Sequence, residues 1–225
     1  MSKQAIPLSQ LIKDVHQCIN AHAEEVAKLD AAIGDGDHLN NLQRGLATLE
    51  KMSAELDQMP LTEAFSKIGM SLMSTMGGAS GSLFGSMFIT MGKTAKDQPL
   101  TLRGLSEVFT AGVESIKARG KADIGEKTML DTLIPASQSL QQDAANGVAL
   151  EISLTHMQQA AITGMQSTKD MLATKGRASF LGERARGHID AGARTSQLML
   201  CAIADAVIEY DNSMIINHRG TEDTE

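Results

Sequence analysis

Residues 29–56 read LDAAIGDGDHLNNLQRGLATLEKMSAEL. Two signals lie back to back in them. Leu42, Leu46, Leu49, Met52 and Leu56 recur at three- and four-residue spacing, the period of an amphipathic helix. Just before them Asp30, Asp35 and Asp37 crowd three negative charges together, with Gly34 and Gly36 loosening the backbone between them. An apolar stripe, a connection, then another stripe: this alternation runs along the chain and decides its fold.

Upstream, Leu8, Leu11, Val15, Ile19, Val26 and Leu29 mark a first helix. Downstream, Phe65, Ile68, Leu72 and Met76 mark a third, Leu83, Met87 and Met91 a fourth, and Leu102, Leu105, Val108, Phe109, Val113 and Ile116 a fifth. Leu130, Leu133, Ile134 and Leu140 make a sixth, in which Pro135 predicts a local kink. Ile152, Met157, Ala160 or Ala161, Gly164, Thr168 and Met171 make a seventh, and Leu198, Ile203, Val207 and Tyr210 an eighth. No stretch sustains strand alternation. The expected fold is all-α, an eight-helix antiparallel up-and-down barrel or bundle, with residues 1–210 as one domain. Residues 211–225, DNSMIINHRGTEDTE, lack the stripe and read as a loose tail.

Composition agrees with that class. Of 225 residues 42% are hydrophobic and 21% charged, a soluble globular balance. Aromatics are only 3%, Trp is absent and Met numbers 14, so the core must be built from straight-chain helix formers. A net charge of −7 disfavours nucleic acid or an anionic membrane as partner, and any bound phosphate needs locally supplied positive charge. Cys18 and Cys201 lie far apart within helical stretches and read as packed, reduced thiols. The start MSKQAIPLSQLIKD has no apolar signal core, and the most apolar run, GSLFGSMFITMG, is too short to span a bilayer. A cytoplasmic, soluble chain is expected.

The connections fall into two kinds. Those after helices two, four and six, LDQMPLTEA, AKDQPLTLRG and QQDAANGVALE, are ordinary polar turns. Those after helices one, three, five and seven, DAAIGDGDH, MGGASGS, RGKADIGEKTM and KGRASFLGERARGHIDAGAR, are rich in glycine and functional polar groups. In an up-and-down bundle every odd-numbered connection sits at the same end. All four special loops are therefore expected to meet in one composite site.

Charge suggests what that site binds. Two carboxylates about 4 Å apart at an effective dielectric near 20 repel by roughly 4 kcal/mol, so three converging ones call for a cation. With no cysteine among them the donors are all oxygen, which suits Mg²⁺, Mn²⁺ or Ca²⁺ rather than zinc. Asp30, at a helix C-terminal end, is poorly placed for its helix dipole, and a metal would offset that cost. The competing reading is a solvated acidic turn in which Asp37 merely caps the next helix. GGASG, residues 77–81, precedes a helix whose free N–H groups, with the Ser80 hydroxyl, could cradle phosphate, although a simple glycine cap between helices reads equally from the residues alone. It lacks the lysine of a P-loop. Nest and metal together imply a nucleotide. In the last loop Arg177 is the candidate phosphate contact, since a guanidinium matches phosphate oxygens as a bidentate fork. Arg184, Arg186, His188, Lys121 and Lys127 read equally as solvated charges. His38 is either a ligand or a donor within its own turn, and His16, His22 and His156 lie in helical stretches with no case for a site.

DAAIGDGDH, GMSLMSTMGGASGSLFG, GEKTMLDTL and GRASFLGERARGHIDAGA together resemble the nucleotide-binding L subunit of dihydroxyacetone kinase, found also as the C-terminal domain of single-chain dihydroxyacetone kinases. The resemblance spans about residues 5 to 210. It implies an eight-helix barrel with nucleotide at one end, Mg²⁺ ions (two) on Asp30, Asp35 and Asp37, and ADP or ATP. It also implies a pocket lined by His38, Leu39, Asn40, Asn41, Ala79, Ser80, Gly120, Met129, Arg177, Asp190, Ala191 and Gly192, with adenine between the last two loops. The family's substrate, dihydroxyacetone or a related small ketose, is held on a separate K subunit, so the resemblance implies that this chain acts only with a partner. Two departures stand out: Leu39 where the family usually has Gly, and Ala191 where it usually has Pro. The phosphoryl donor is left open between a phosphotransferase-system M subunit that recharges bound ADP in place and free ATP that exchanges. A nucleotide-binding regulator without phosphoryl transfer is the third reading.

Overall fold

The computed structural model describes residues 6–96, 98–99 and 101–222. Nine α-helices are found among them: α1 (Leu8–Ala21), α2 (Ala23–Ile33), α3 (His38–Leu56), α4 (Leu61–Thr75), α5 (Gly78–Ala95), α6 (Leu102–Gly120), α7 (Leu130–Ala145), α8 (Leu150–Ser167) and α9 (Ala191–Glu222). Two 3-10 segments, Thr168–Asp170 and Arg177–Ala185, lie between α8 and α9. No strand occurs among the described residues.

The local signals are those that chemistry requires. Pro7 and Pro60, both in extended conformation, stand at the N-caps of α1 and α4, where the missing N–H is no loss. Thr101 caps α6 by accepting a bond from the Gly104 N–H (3.2 Å). The first predicted helix is broken at His22 (φ −107°, ψ 15°), whose Nδ1 lies 2.9 Å from the Cys18 carbonyl oxygen. The two halves still act as one unit, because α1 and α2 both pack between α3 and α9. Following the contacts, this broken stave meets α3, then α4, α5, α6, α7, α8 and α9, which returns to α1. The ring closes with eight staves, as the periodicity predicts.

Ile19, Val26, Leu56, Val113, Ile116 and Leu130 are completely enclosed inside it. Each such side chain contributes about 1.5–3 kcal/mol by leaving water. Two stripe residues do not join them: Leu105 and Ile152 are 42% and 51% exposed. Single apolar side chains on a surface are common, and periodicity cannot distinguish the edge of a stripe from its centre.

The apolar run Gly81–Gly92 forms most of α5, and its glycines explain its composition. A Cβ on Gly69 of α4 would lie 2.6 Å from the Gly85 carbonyl oxygen, and one on Gly85 would lie 2.9 Å from that of Gly69. The two backbones touch along this seam, with no room for side chains. No helix among the described residues is long and apolar enough to cross a membrane.

α7 runs through Pro135 without ending. Proline at that position leaves the carbonyl of Asp131, four residues earlier, without its helical donor. That carbonyl faces Gly164 of α8, where any Cβ would overlap it. At the other terminus α9 runs helical to Glu222, and the last residues of the expected tail over 211–225, from 223 on, lie outside the described residues. Propagating a helix needs no new nucleus, so the backbone continues after the apolar stripe has stopped.

Arg194 fastens α9 to α2 through a two-pronged contact with Glu25 (2.9 and 2.8 Å) and also donates to Gln197. The bond from Arg194, together with its charge and that of His22, holds the Glu25 carboxyl below its ordinary range against the opposing effect of burial. Arg194→Met is expected to lower unfolding stability by about 1–2 kcal/mol at pH 7. The depressed carboxylate contributes above its unfolded pKa and loses its contribution as pH falls through the folded one. The gap between variant and wild type in urea titrations should therefore narrow on acidification.

Candidate nucleotide and metal site

Asp30 occupies the last turn of α2 and is buried. Its Oδ2 accepts the His38 N–H (2.9 Å), the first donor of α3. The unfavourable end of its own helix is thus offset by the positive end of the next one. A Cβ on Gly34 would overlap Asp30 Oδ1, so glycine there leaves the carboxylate its room. Asp37 stands at the N-cap of α3 but makes no side-chain capping bond, contrary to the simple capping reading. Asp35 lies at the exposed loop tip and accepts from Arg177 Nε (2.9 Å). One carboxylate oxygen from each of the three falls within 4.8 Å of the others. Three convergent hard oxygens, two of them on exposed side chains, fit a divalent cation.

The second special loop lies beside this cluster. α5 begins at Gly78 (φ +67°), and no side chain caps it. Its first-turn N–H groups therefore lack intrahelical partners and offer an anion cradle. A Cβ on Gly78 would lie 3.1 Å from Asn41 Nδ2 and 4.0 Å from Asp37 Oδ1, which brings the cradle against the acidic cluster. Arg44 braces this corner. It donates to the Thr75 carbonyl (2.7 Å), at the end of α4, and to Asn41 Oδ1 (2.5 Å).

His38 links three elements. Its Nδ1 is 3.4 Å from Ser80 Oγ and its Nε2 2.9 Å from Thr195 Oγ1 on α9. Burial pushes its pKa down, while Asp30, Asp37 and Asp35 pull the other way. Of the remaining predicted residues, Asn40 and Ala79 are exposed, Asn41 and Ala191 are buried, and Leu39 is half-buried with its side chain against the core. Leu39, which stands where the family usually has glycine, thus packs inward. Gly120 closes α6, its Cβ position 3.5 Å from Leu83 of α5. Met129 lies 3.7 Å from the Cβ position of Gly192. The four special loops do meet at one end of the barrel.

Asp190 opens α9 by accepting the Ala193 N–H (2.8 Å), and its own N–H donates to Thr168 Oγ1 (3.1 Å). Burial pushes its carboxyl up to about 6; the Ala193 bond and Lys127 lower it, and Asp131 and Asp30 raise it further. For a raised carboxyl, the native state binds the proton more tightly. Its stabilising share is complete below the unfolded pKa and disappears as pH rises through about 6. Asp190→Asn is expected to stabilise the metal-free protein at pH 7.5 by about 1–2 kcal/mol, partial exposure reducing an upper limit of about 3. Thermal melts in chelator should show the advantage shrinking by pH 5.

Some charged groups have different roles from those their sequence suggests. Lys121 (φ +48°) is the left-handed C-cap of α6. Arg184, Arg186 and His188 are exposed, and Arg186 pairs with Glu183 (3.3 Å). Lys127 is the departure: it is 1% exposed and donates to the backbone carbonyls of Thr168 and His188. Sequence reading also missed Arg44 and Thr195, ordinary helix residues whose roles arise only when helices are brought together.

Comparison with known proteins gives the family. A DAK2 domain model matches residues 32–205. The ADP-binding subunit DhaL of PEP-dependent dihydroxyacetone kinase 1 of Listeria innocua is 40% identical over 192 residues, covering 85% of this chain and 91% of that one. The ADP-binding subunit DhaL of the PEP-dependent dihydroxyacetone kinase of Escherichia coli is 37% identical over 206 residues, covering 89% and 98%. The Lactococcus lactis DhaL, from a PTS-dependent dihydroxyacetone kinase, is 41% identical over 182 residues, covering 81% and 87%. Among solved structures, the dihydroxyacetone kinase of C. freundii superposes with a TM-score of 0.70 at 24% identity, covering 90% of this chain and 36% of that one. The chain spans about a third of that molecule, and the likeness there is one of fold. With the family model running from the acidic loop into α9 and relatives aligned over nearly their whole length, this chain belongs to the DAK2-domain family, among kinase subunits named for binding ADP.

Proposed function

We propose that this chain is the nucleotide-binding, phosphoryl-transferring subunit of a dihydroxyacetone kinase, acting with a K subunit that holds dihydroxyacetone or a related small ketose. The convergence of Asp30, Asp35 and Asp37 beside the uncapped start of α5 carries the reading. Carboxylates alone would repel a polyphosphate, and a helix N-terminus alone would hold it weakly. Side by side, with divalent cations between, they complement one another.

In this reading Asp30, Asp35 and Asp37 hold two Mg²⁺ ions, which when bound neutralise charge on the phosphates of ADP or ATP. The Gly78–Ser80 N–H groups and the Ser80 hydroxyl receive phosphate oxygens. His38, Asn40, Asn41 and Ala79, with the backbone of Leu39, line the phosphate and sugar side. Gly120, Met129, Asp190, Ala191 and Gly192 enclose the base. Arg177, paired with Asp35 beside the cluster, would stabilise the charge on the transferred phosphoryl group. The relatives' names, which specify PEP and PTS dependence and ADP binding, support bound ADP recharged in place; in this reading a phosphotransferase-system M subunit recharges it, in the cytoplasm.

The test combines this chain with a purified K subunit and dihydroxyacetone. Sustained product formation is expected only when the phosphoenolpyruvate-driven carrier proteins are supplied, with ADP remaining bound. Many turnovers on ATP alone would overturn the recharging mechanism in favour of exchange. Failure of both donors, with nucleotide bound, would leave a regulator.

A further inference from the structure

Lys127 is the largest completely buried side chain among the described residues, and it is a basic one. It stands in the left-handed region (φ +61°), an unusual conformation for a residue with a side chain. Its ammonium has no carboxylate within ion-pair distance among the described residues. Instead it donates to the carbonyls of Thr168 and His188, with that of Lys169 at 3.5 Å. Burying a cation is costly unless its protons are all received, and three carbonyls receive three protons.

The positions of those carbonyls matter. Thr168 and Lys169 lie in the 3-10 turn that follows α8, and His188 lies near the end of the long connection that leads to α9. Lys127 itself belongs to the connection between α6 and α7. One ammonium therefore ties together the two loops that carry Met129 and Asp190–Gly192. Thr168 adds a second tie through its hydroxyl, which accepts the Asp190 N–H. Neither tie itself reaches the acidic cluster or the start of α5, which are supported by Asp30 with His38 and by Arg44 with Asn41 and Thr75, and which meet the α8–α9 connection and α9 through separate contacts, Arg177 with Asp35 and Thr195 with His38.

We infer that Lys127 is a positioning residue for the base side of the nucleotide pocket: its buried ammonium sets the spacing of the two loops that grip the base, independently of the metal and phosphate side. The inference rests on the functional reading above. It divides the site into two halves whose affinities can be changed separately.

The experiment compares Mg-ADP with Mg-pyrophosphate, which offers the same phosphates and metal but no base, by calorimetry on the full chain. Wild type should bind both. Lys127→Met should bind Mg-ADP at least tenfold more weakly and keep Mg-pyrophosphate within twofold. A general loosening of the fold would weaken both together, and that result overturns the inference, as does unchanged ADP affinity. Should Lys127→Met fail to fold, Thr168→Ala decides the matter: it removes the Asp190 tie together with the hydroxyl's own bond to the Met165 carbonyl within α8, touches nothing on the metal and phosphate side, and should show the same selective loss at a few-fold. Equal or absent losses there count against the proposal. If wild type itself binds no Mg-ADP, the nucleotide reading falls instead, which separates the two failures.

Discussion

Asp30→Asn is expected to weaken Mg-ADP binding by at least about 100-fold, or about 2.7 kcal/mol, while leaving the barrel folded. The amide oxygen can still accept the His38 N–H, so the junction between α2 and α3 survives. Only the charge is lost. In the metal-free protein this removal relieves repulsion among three carboxylates clustered within 4.8 Å. The variant should therefore melt at the same temperature as wild type or higher, a loss of binding without a loss of stability. Asp30→Ala adds a structural penalty of about 1–2 kcal/mol by leaving that N–H unpaired. Calorimetry with and without Mg²⁺, alongside thermal melts, distinguishes the two. Normal Mg-ADP affinity in Asp30→Asn would remove the metal role from the acidic loop.

Gly81→Ala is expected to damage fold and binding together. A Cβ there would overlap the Met76 carbonyl oxygen, where the last turn of α4 meets the first turn of α5. This contact is between backbones, so no side chain can move aside. Overpacking of this kind costs about 1–3 kcal/mol, and relief requires the corner between the helices to open. Opening would displace the N–H groups of Gly78 to Ser80, so Mg-ADP affinity should drop by about tenfold or more. Gly36→Ala provides the contrast. It has nothing within 4 Å of its Cβ position and suffers only from its positive φ of 79°, so about 1 kcal/mol is expected. Urea unfolding of both variants reads the difference. Equal, small losses would show that the α4–α5 corner has slack.

The two glycines look alike in sequence, which indicates where sequence reading stops. Gly36 is legible as a turn glycine from its neighbours. Gly81 is needed because the chain folds back on the Met76 carbonyl at the corner between α4 and α5, and its immediate neighbours do not announce that. The same limit separates Arg177 from Lys127. Arg177 sits in a glycine-rich loop and its contact with Asp35 follows from opposite charge. Lys127 looked like a solvated charge because its partners, the carbonyls of Thr168 and His188, are backbone groups far along the chain. Asp30 is an intermediate case. Its negative charge at a helix end was visible, whereas the compensating end of α3 became apparent only with the turn between them.

The order of residues by itself determined the all-helical class, the eight staves and the meeting of four loops at one end. Each follows from local repetition and from the parity of an up-and-down path, which no tertiary contact can alter. Tertiary structure alone decided where the staves touch closely enough to demand glycine, which carboxylates converge, and which lysine is buried among carbonyls. Those features depend on distances between segments remote in sequence, fixed only when the ring of helices closes and excludes water.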